Sequence, residues 1–199
     1  MKATDTAPGK RKQKAKMNLP NRLTMMRVCM IPVIVALMMA GGRACGLIAV
    51  LLFAAASFTD FLDGHIARSR GLVTDFGKFM DPIADKLLVT AVMIMMVERG
   101  LMAGWILVIF VAREFIVSGL RLVAAGKGTV LAAGKLGKLK TATQMAALIV
   151  SLTCYYAMDG APLEWMQILS NALIYLALIF SVWSGTDYLV RNRSVIADM

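Results

Sequence analysis

The sequence predicts an all-α integral membrane protein, a bundle of six transmembrane helices with both termini cytoplasmic. Three observations carry that expectation. Of 199 residues 59% are apolar and 17% charged, with mean hydropathy +0.70, whereas a soluble domain is about a quarter charged. Apolar runs recur at 23–40, 46–67, 79–97, 101–123, 141–158 and 163–190, each close to the roughly 20 residues that cross a bilayer. Basic residues alternate between the connections: eight in 1–27, three in 68–78, five in 121–140, then Arg191 and Arg193, against only Arg43 and Arg99 in the intervening ones. Six spans put all the basic segments on one side, which the Lys/Arg bias makes the cytoplasm.

Taken in order, residues 1–17 are polar and basic, too poor in apolar groups to offset the entropy of ordering, and are expected to form a disordered cytoplasmic tail. Residues 18–199 are expected to form the six-helix transmembrane domain. No small-residue cleavage site follows the first apolar run, so a cleaved secretory signal is not expected. The last run exceeds one span and implies tilt or an extension beyond the membrane. The sixteen methionines are scattered through the apolar runs as lipid-facing or core filler.

The net charge of +10 follows the connections, which suits topology and anionic membrane lipid and argues against nucleic acid. Cys29, Cys45 and Cys154 have neither metal spacing nor a disulfide framework.

Ionisable groups inside spans cost about 2.5 kcal/mol or more each, so those present point to function. Asp60 and Asp63 stand at i, i+3 in the second run, and Asp81 and Asp85 at i, i+4 in the third. Each pair occupies one helix face. If the second span ends near Arg68 and the third begins near Gly77, Asp60 and Asp85 lie at matching depths of about 12 Å, and the four carboxylates converge. Such a group needs protons or a cation, and an all-oxygen donor set without His or Cys suits Mg²⁺, Mn²⁺ or Ca²⁺ rather than zinc. Gly64, Ala67, Gly71 and Gly77 allow close approach of a ligand, and Arg68 supplies a guanidinium fork for phosphate. His65 is expected to be a packing or interfacial residue.

The pattern Asp60-x2-Asp63-Gly64-x2-Ala67-Arg68-x8-Gly77-x3-Asp81-x3-Asp85 resembles the CDP-alcohol phosphotransferase signature at every fixed position. The resemblance implies displacement of CMP from a CDP-linked donor by an alcohol, with two divalent ions, Mg²⁺ or Mn²⁺, held by Asp60, Asp63, Asp81 and Asp85. Asp85 would be a ligand or the base that takes the acceptor proton. Gly64, Ala67, Arg68 and Gly77 would line the cytidine diphosphate pocket.

Flanking segments resemble the bacterial branch of that family whose acceptor is sn-glycerol 3-phosphate. Asn21, Thr24 and Arg27, at the opening of the first run, would lie beside the donor, although helix capping accounts for such residues equally well. Arg113 and Arg121, eight residues apart, share a face. Their anionic partner is either Glu114 or an acceptor phosphate. The stretch Gly134–Gln144, with Lys138, is either a positive-inside loop or a flexible segment that binds the acceptor phosphate.

The resemblance thus implies an enzyme of the bacterial inner membrane facing the cytoplasm, a homodimer, that uses CDP-diacylglycerol and sn-glycerol 3-phosphate. Acceptors such as serine or inositol phosphate are the alternative, and a cation channel or transporter is the remote one.

Overall fold

The computed structural model describes residues 19–70, 75–128, 131 and 134–193, without the side chains of 19–21, 60–70, 75–79 and 135. The basic tail 1–17 lies outside the described residues. Among those described, every long element is an α-helix: α1 Leu19–Ala40, α2 Arg43–Arg70, α3 Asp75–Glu98, α4 Gly104–Gly126, α5 Lys135–Ala157 and α6 Glu164–Arg191.

Each helix corresponds to one apolar run. The largest departure is α5, which begins at Lys135 rather than near 141, so the basic stretch is helix and not a flexible loop. Gly134 sits in extended conformation ahead of it, and its carbonyl accepts from the amides of Gly137 at 3.1 Å and Lys138 at 3.4 Å. Lys and Leu are good helix formers, and they outweigh the cost of Gly137 in the first turns.

The helices close into a ring. α1 packs on α2 and α3, α2 on α5, α5 on α6, α6 on α4, and α4 returns to α3. Inside lies one core cluster that includes Phe53, Val92, Met96, Phe110, Leu148, Tyr156 and Ile174. Met38, Met93, Met95, Met96 and Met102 are buried in it, whereas Met26, Met39 and Met158 are exposed. Unbranched methionine fills irregular gaps between helices of differing tilt.

The outer surface is apolar: Leu51, Phe58, Phe115, Leu122, Ile168, Ile179 and Trp183 are all mostly exposed. Among the described residues, Arg22–Ala40 and Glu164–Arg191 are long and apolar enough to cross a membrane by length and composition. In α4 the apolar stretch is interrupted by Arg113, Glu114 and Arg121, which the site described below uses.

Glycine tightens the end of the bundle at which α1 passes into α2. Gly41 and Gly42 turn the chain at φ of 72° and 74°, a region open to glycine at no steric cost. Gly46 then lies under the Tyr156 ring of α5, where a Cβ would fall 1.9 Å from Cδ1. Gly46→Ala is therefore expected to destabilise the bundle by about 1–3 kcal/mol through overpacking. Thermal unfolding in detergent checks this, and the penalty should shrink when Tyr156→Leu is present.

Candidate active site

Two polar clusters interrupt the apolar packing, and they adjoin across α3. The first joins α1 to α3. Thr24 and Arg27, at i, i+3 of α1, are buried at 2% and 4% exposure. Thr24 Oγ1 donates to Asp81 Oδ1, and Arg27 Nη1 lies 2.8 Å from Asp85 Oδ1. The rise is about 4.5 Å along α1 and about 6 Å along α3, so the two contacts fit helices that run side by side in the same direction. Thr24 and Arg27 are thus partners of the aspartates themselves.

On the backbone, Asp60 falls ten residues before the end of α2 and Asp85 ten residues after the start of α3. The side chains of Asp60, Asp63 and Arg68 lie outside the described residues, as do the surroundings of Asn21, Gly64, Ala67 and Gly77. Among the described residues no three His, Cys, Asp or Glu side chains gather. The described pair, Asp81 and Asp85, offers carboxylate oxygens alone, a donor chemistry that suits a hard divalent cation.

The second cluster centres on Glu114. Its Oε1 pairs with Lys140 of α5 and with Arg113 at 3.2 Å. Arg113 Nη2 donates to Ser184 Oγ of α6 at 2.9 Å, while its Nε is buried without a hydrogen-bond partner. Lys86, next to Asp85 in the chain, donates to Ser118 Oγ, and Ser118 in turn donates to the Glu114 carbonyl at 2.6 Å. Lys140 also lies over the Phe110 ring, 5.8 Å from its centroid, within cation–π range. Among the described residues one carboxylate, Glu114, stands with three cations, Lys86, Arg113 and Lys140, a surplus of two positive charges.

Glycines let these groups close in. The Gly137 Cβ position lies 4.0 Å from Arg113 Nη2, and that of Gly185 lies 3.0 Å from Arg113 Cγ. Small residues of this kind allow helices to approach closely.

Arg113 and Arg121 do share a face, and both reach α6: Arg121 Nε donates to Tyr188 Oη at 3.1 Å, with its guanidinium 5.3 Å from the ring centre. Glu114 is the partner of Arg113 and not of Arg121. Lys138 is exposed on the first turns of α5 and joins neither cluster. The basic residue that α5 sends inward is Lys140, 2% exposed. Sequence reasoning singled out neither Lys86 nor Lys140 as a site residue. The available signal was Lys86 itself, a charge directly after Asp85 in an apolar run.

Removing the carboxylate while keeping Lys140 buried leaves an uncompensated charge, so Glu114→Gln is expected to cost about 3–5 kcal/mol of stability. Adding Lys140→Met should recover most of that loss, and chemical unfolding of the single and double variants measures both.

The chain is similar to known proteins over most of its length. The family described as CDP-alcohol phosphatidyltransferase matches residues 17–183. A Bacillus subtilis protein, 40% identical over 188 residues, covers 88% of this chain and 95% of its own; it is named CDP-diacylglycerol--glycerol-3-phosphate 3-phosphatidyltransferase. Proteins of the same name from Rickettsia typhi, 39% identical over 86% of this chain and 94% of theirs, and from Salmonella choleraesuis, 33% identical over 91% and 98%, extend the similarity across distant bacteria. With Asp81 and Asp85 of the signature held by Thr24 and Arg27 of α1, and with the family match spanning residues 17–183, the chain belongs to the CDP-alcohol phosphatidyltransferase family.

Proposed function

We propose that this protein is an integral membrane enzyme that transfers the phosphatidyl group of CDP-diacylglycerol to sn-glycerol 3-phosphate, yielding phosphatidylglycerophosphate and CMP. The observation that carries the choice of acceptor is the surplus of positive charge around Glu114 of α4 among the described residues, to which Lys86, the residue after Asp85 in α3, contributes. A dianionic phosphate monoester matches that surplus, whereas serine or inositol brings no such charge. The names of the relatives agree with this reading.

In the proposed reaction the C1 hydroxyl oxygen of glycerol 3-phosphate attacks the phosphorus that carries diacylglycerol. The anhydride bond from that phosphorus to CMP breaks, and CMP leaves with the bridging oxygen. The hydroxyl proton passes to a carboxylate, for which Asp85 is our assignment. Thr24 and Arg27 hold Asp81 and Asp85 in fixed orientation, which favours reaction by positioning. Two Mg²⁺ or Mn²⁺ ions held by Asp60, Asp63, Asp81 and Asp85 would supply charge neutralisation at the phosphates. Asn21, Gly64, Ala67, Arg68 and Gly77 are assigned to the donor pocket. Arg113, with Lys86 and Lys140 in reach, is assigned to the acceptor phosphate, and Arg121 and Lys138 to its approach.

The apolar outer surface supports a membrane setting, with lipid against Leu51, Phe115 and Leu122. We place the protein in the bacterial inner membrane, with both termini and the site on the cytoplasmic side, and as a homodimer.

The test is CMP release by the purified, reconstituted protein with CDP-diacylglycerol and Mg²⁺. Glycerol 3-phosphate is expected to give product, and serine, inositol and inositol phosphate none; turnover with one of these instead overturns the acceptor assignment. Chelation should abolish turnover and added Mg²⁺ restore it. Asp81→Asn should lower the rate by at least about 10²-fold, the scale of losing charge stabilisation at a reacting centre.

A further inference from the structure

Lys140 and Arg113 both pair with the Glu114 carboxylate. Lys140 is sealed there at 2% exposure, and Arg113 is tied further to Ser184 of α6. Lys86 differs from both. It is half-buried on α3, and its ammonium bonds to a neutral oxygen, Ser118 Oγ of α4.

Ser118 is set for that contact by its own helix. Its hydroxyl hydrogen goes to the Glu114 carbonyl one turn back, at 2.6 Å, a bond that helical serines commonly make. The oxygen lone pairs are then left to accept, and they accept from Lys86 across the contact of α3 with α4. A neutral acceptor orients an ammonium without cancelling its charge, and the ammonium keeps two further N–H donors. A carboxylate in the same place would bind Lys86 more strongly and reduce the charge surplus that suits a phosphorylated acceptor.

The place of Lys86 in the chain explains why it needs a holder. It directly follows Asp85, and its flexible four-carbon stem leaves the ammonium free to swing unless something fixes it. Successive residues of a helix point about 100° apart. The Ser118 bond keeps Lys86 on the α4 side with Glu114, while Asp85 faces Arg27 of α1 at 2.8 Å.

We infer that Ser118 is a positioning residue for acceptor recognition, which holds the charged Lys86 ammonium where the acceptor phosphate binds. The inference rests on the proposed function, in which this cluster receives a phosphate monoester. Ser118 touches neither substrate; it acts through Lys86.

The test is steady-state kinetics of the full-length, reconstituted protein with Mg²⁺, each substrate varied in turn. Losing a hydrogen bond to a charged group weakens binding about tenfold or more. Ser118→Ala should therefore raise the KM for glycerol 3-phosphate about tenfold, with kcat and the KM for CDP-diacylglycerol within about twofold of wild type, the pattern of lost acceptor binding alone. Ser118→Thr keeps the hydroxyl and should retain the wild-type KM. Ser118→Val has the shape of threonine without the hydroxyl and should match Ser118→Ala, so it decides if the alanine variant fails to fold. Lys86→Met should raise the same KM at least as far, and adding Ser118→Ala to it should raise it no further. An unchanged KM in Ser118→Ala, equal losses for both substrates, or additive losses in the double variant overturns the inference and leaves the acceptor reading standing. Wild-type turnover with free serine or inositol in place of glycerol 3-phosphate overturns the acceptor reading itself, and the inference with it.

Discussion

A charge placed among apolar helices has to be matched by another group from the protein, because neither lipid nor hydrocarbon side chains solvate it. In this bundle the matching groups come from neighbouring helices, and the matches fix how those helices meet. Thr24 and Arg27 of α1 engage Asp81 and Asp85 of α3. Sliding either helix by one turn would separate both contacts at once. The aspartates proposed as metal ligands therefore also set the register of α1 against α3.

The same economy governs the far side of the ring. Glu114 of α4 is shared between Arg113 of its own helix and Lys140 of α5, and Arg113 continues to Ser184 of α6. Three helices are thus tied through one carboxylate. Small residues at the contact, Gly137, Ser184 and Gly185, give the guanidinium room. A pair would have been neutral; three cations around one carboxylate are not. Among the described residues that imbalance suits the anionic acceptor proposed above. The far end repeats the theme on a smaller scale, with Arg99 bonded to backbone carbonyls alone among the described residues.

The polar groups of the described bundle thus fall at two levels. Buried and half-buried carboxylates and cations of α1, α3, α4 and α5 gather at one end, where the proposed donor and acceptor meet, and the half-buried Arg99 lies at the other, whose remaining described charges, Arg43, Glu98, Asp159 and Glu164, are exposed. Between them lies the core of Phe53, Val92, Met96 and Phe110.

The six helices were legible from the sequence because runs of apolar residues near span length, broken by Gly and basic clusters, leave the chain few other ways to satisfy its backbone. The aspartate signature was legible for a related reason: carboxylates at one-turn spacing in such runs are too costly to be incidental. The tertiary structure alone decided which charges meet. Sequence spacing put Arg113 and Arg121 on one face, yet gave no means of knowing that Glu114 would turn to Arg113 and Lys140 while Arg121 went to Tyr188. Nor did it distinguish Lys138 from Lys140, two residues apart in a basic stretch. The rotation of α5 about its axis buries one and exposes the other, and that rotation is set by packing against α2 and α6, a property of the whole ring and not of any local segment.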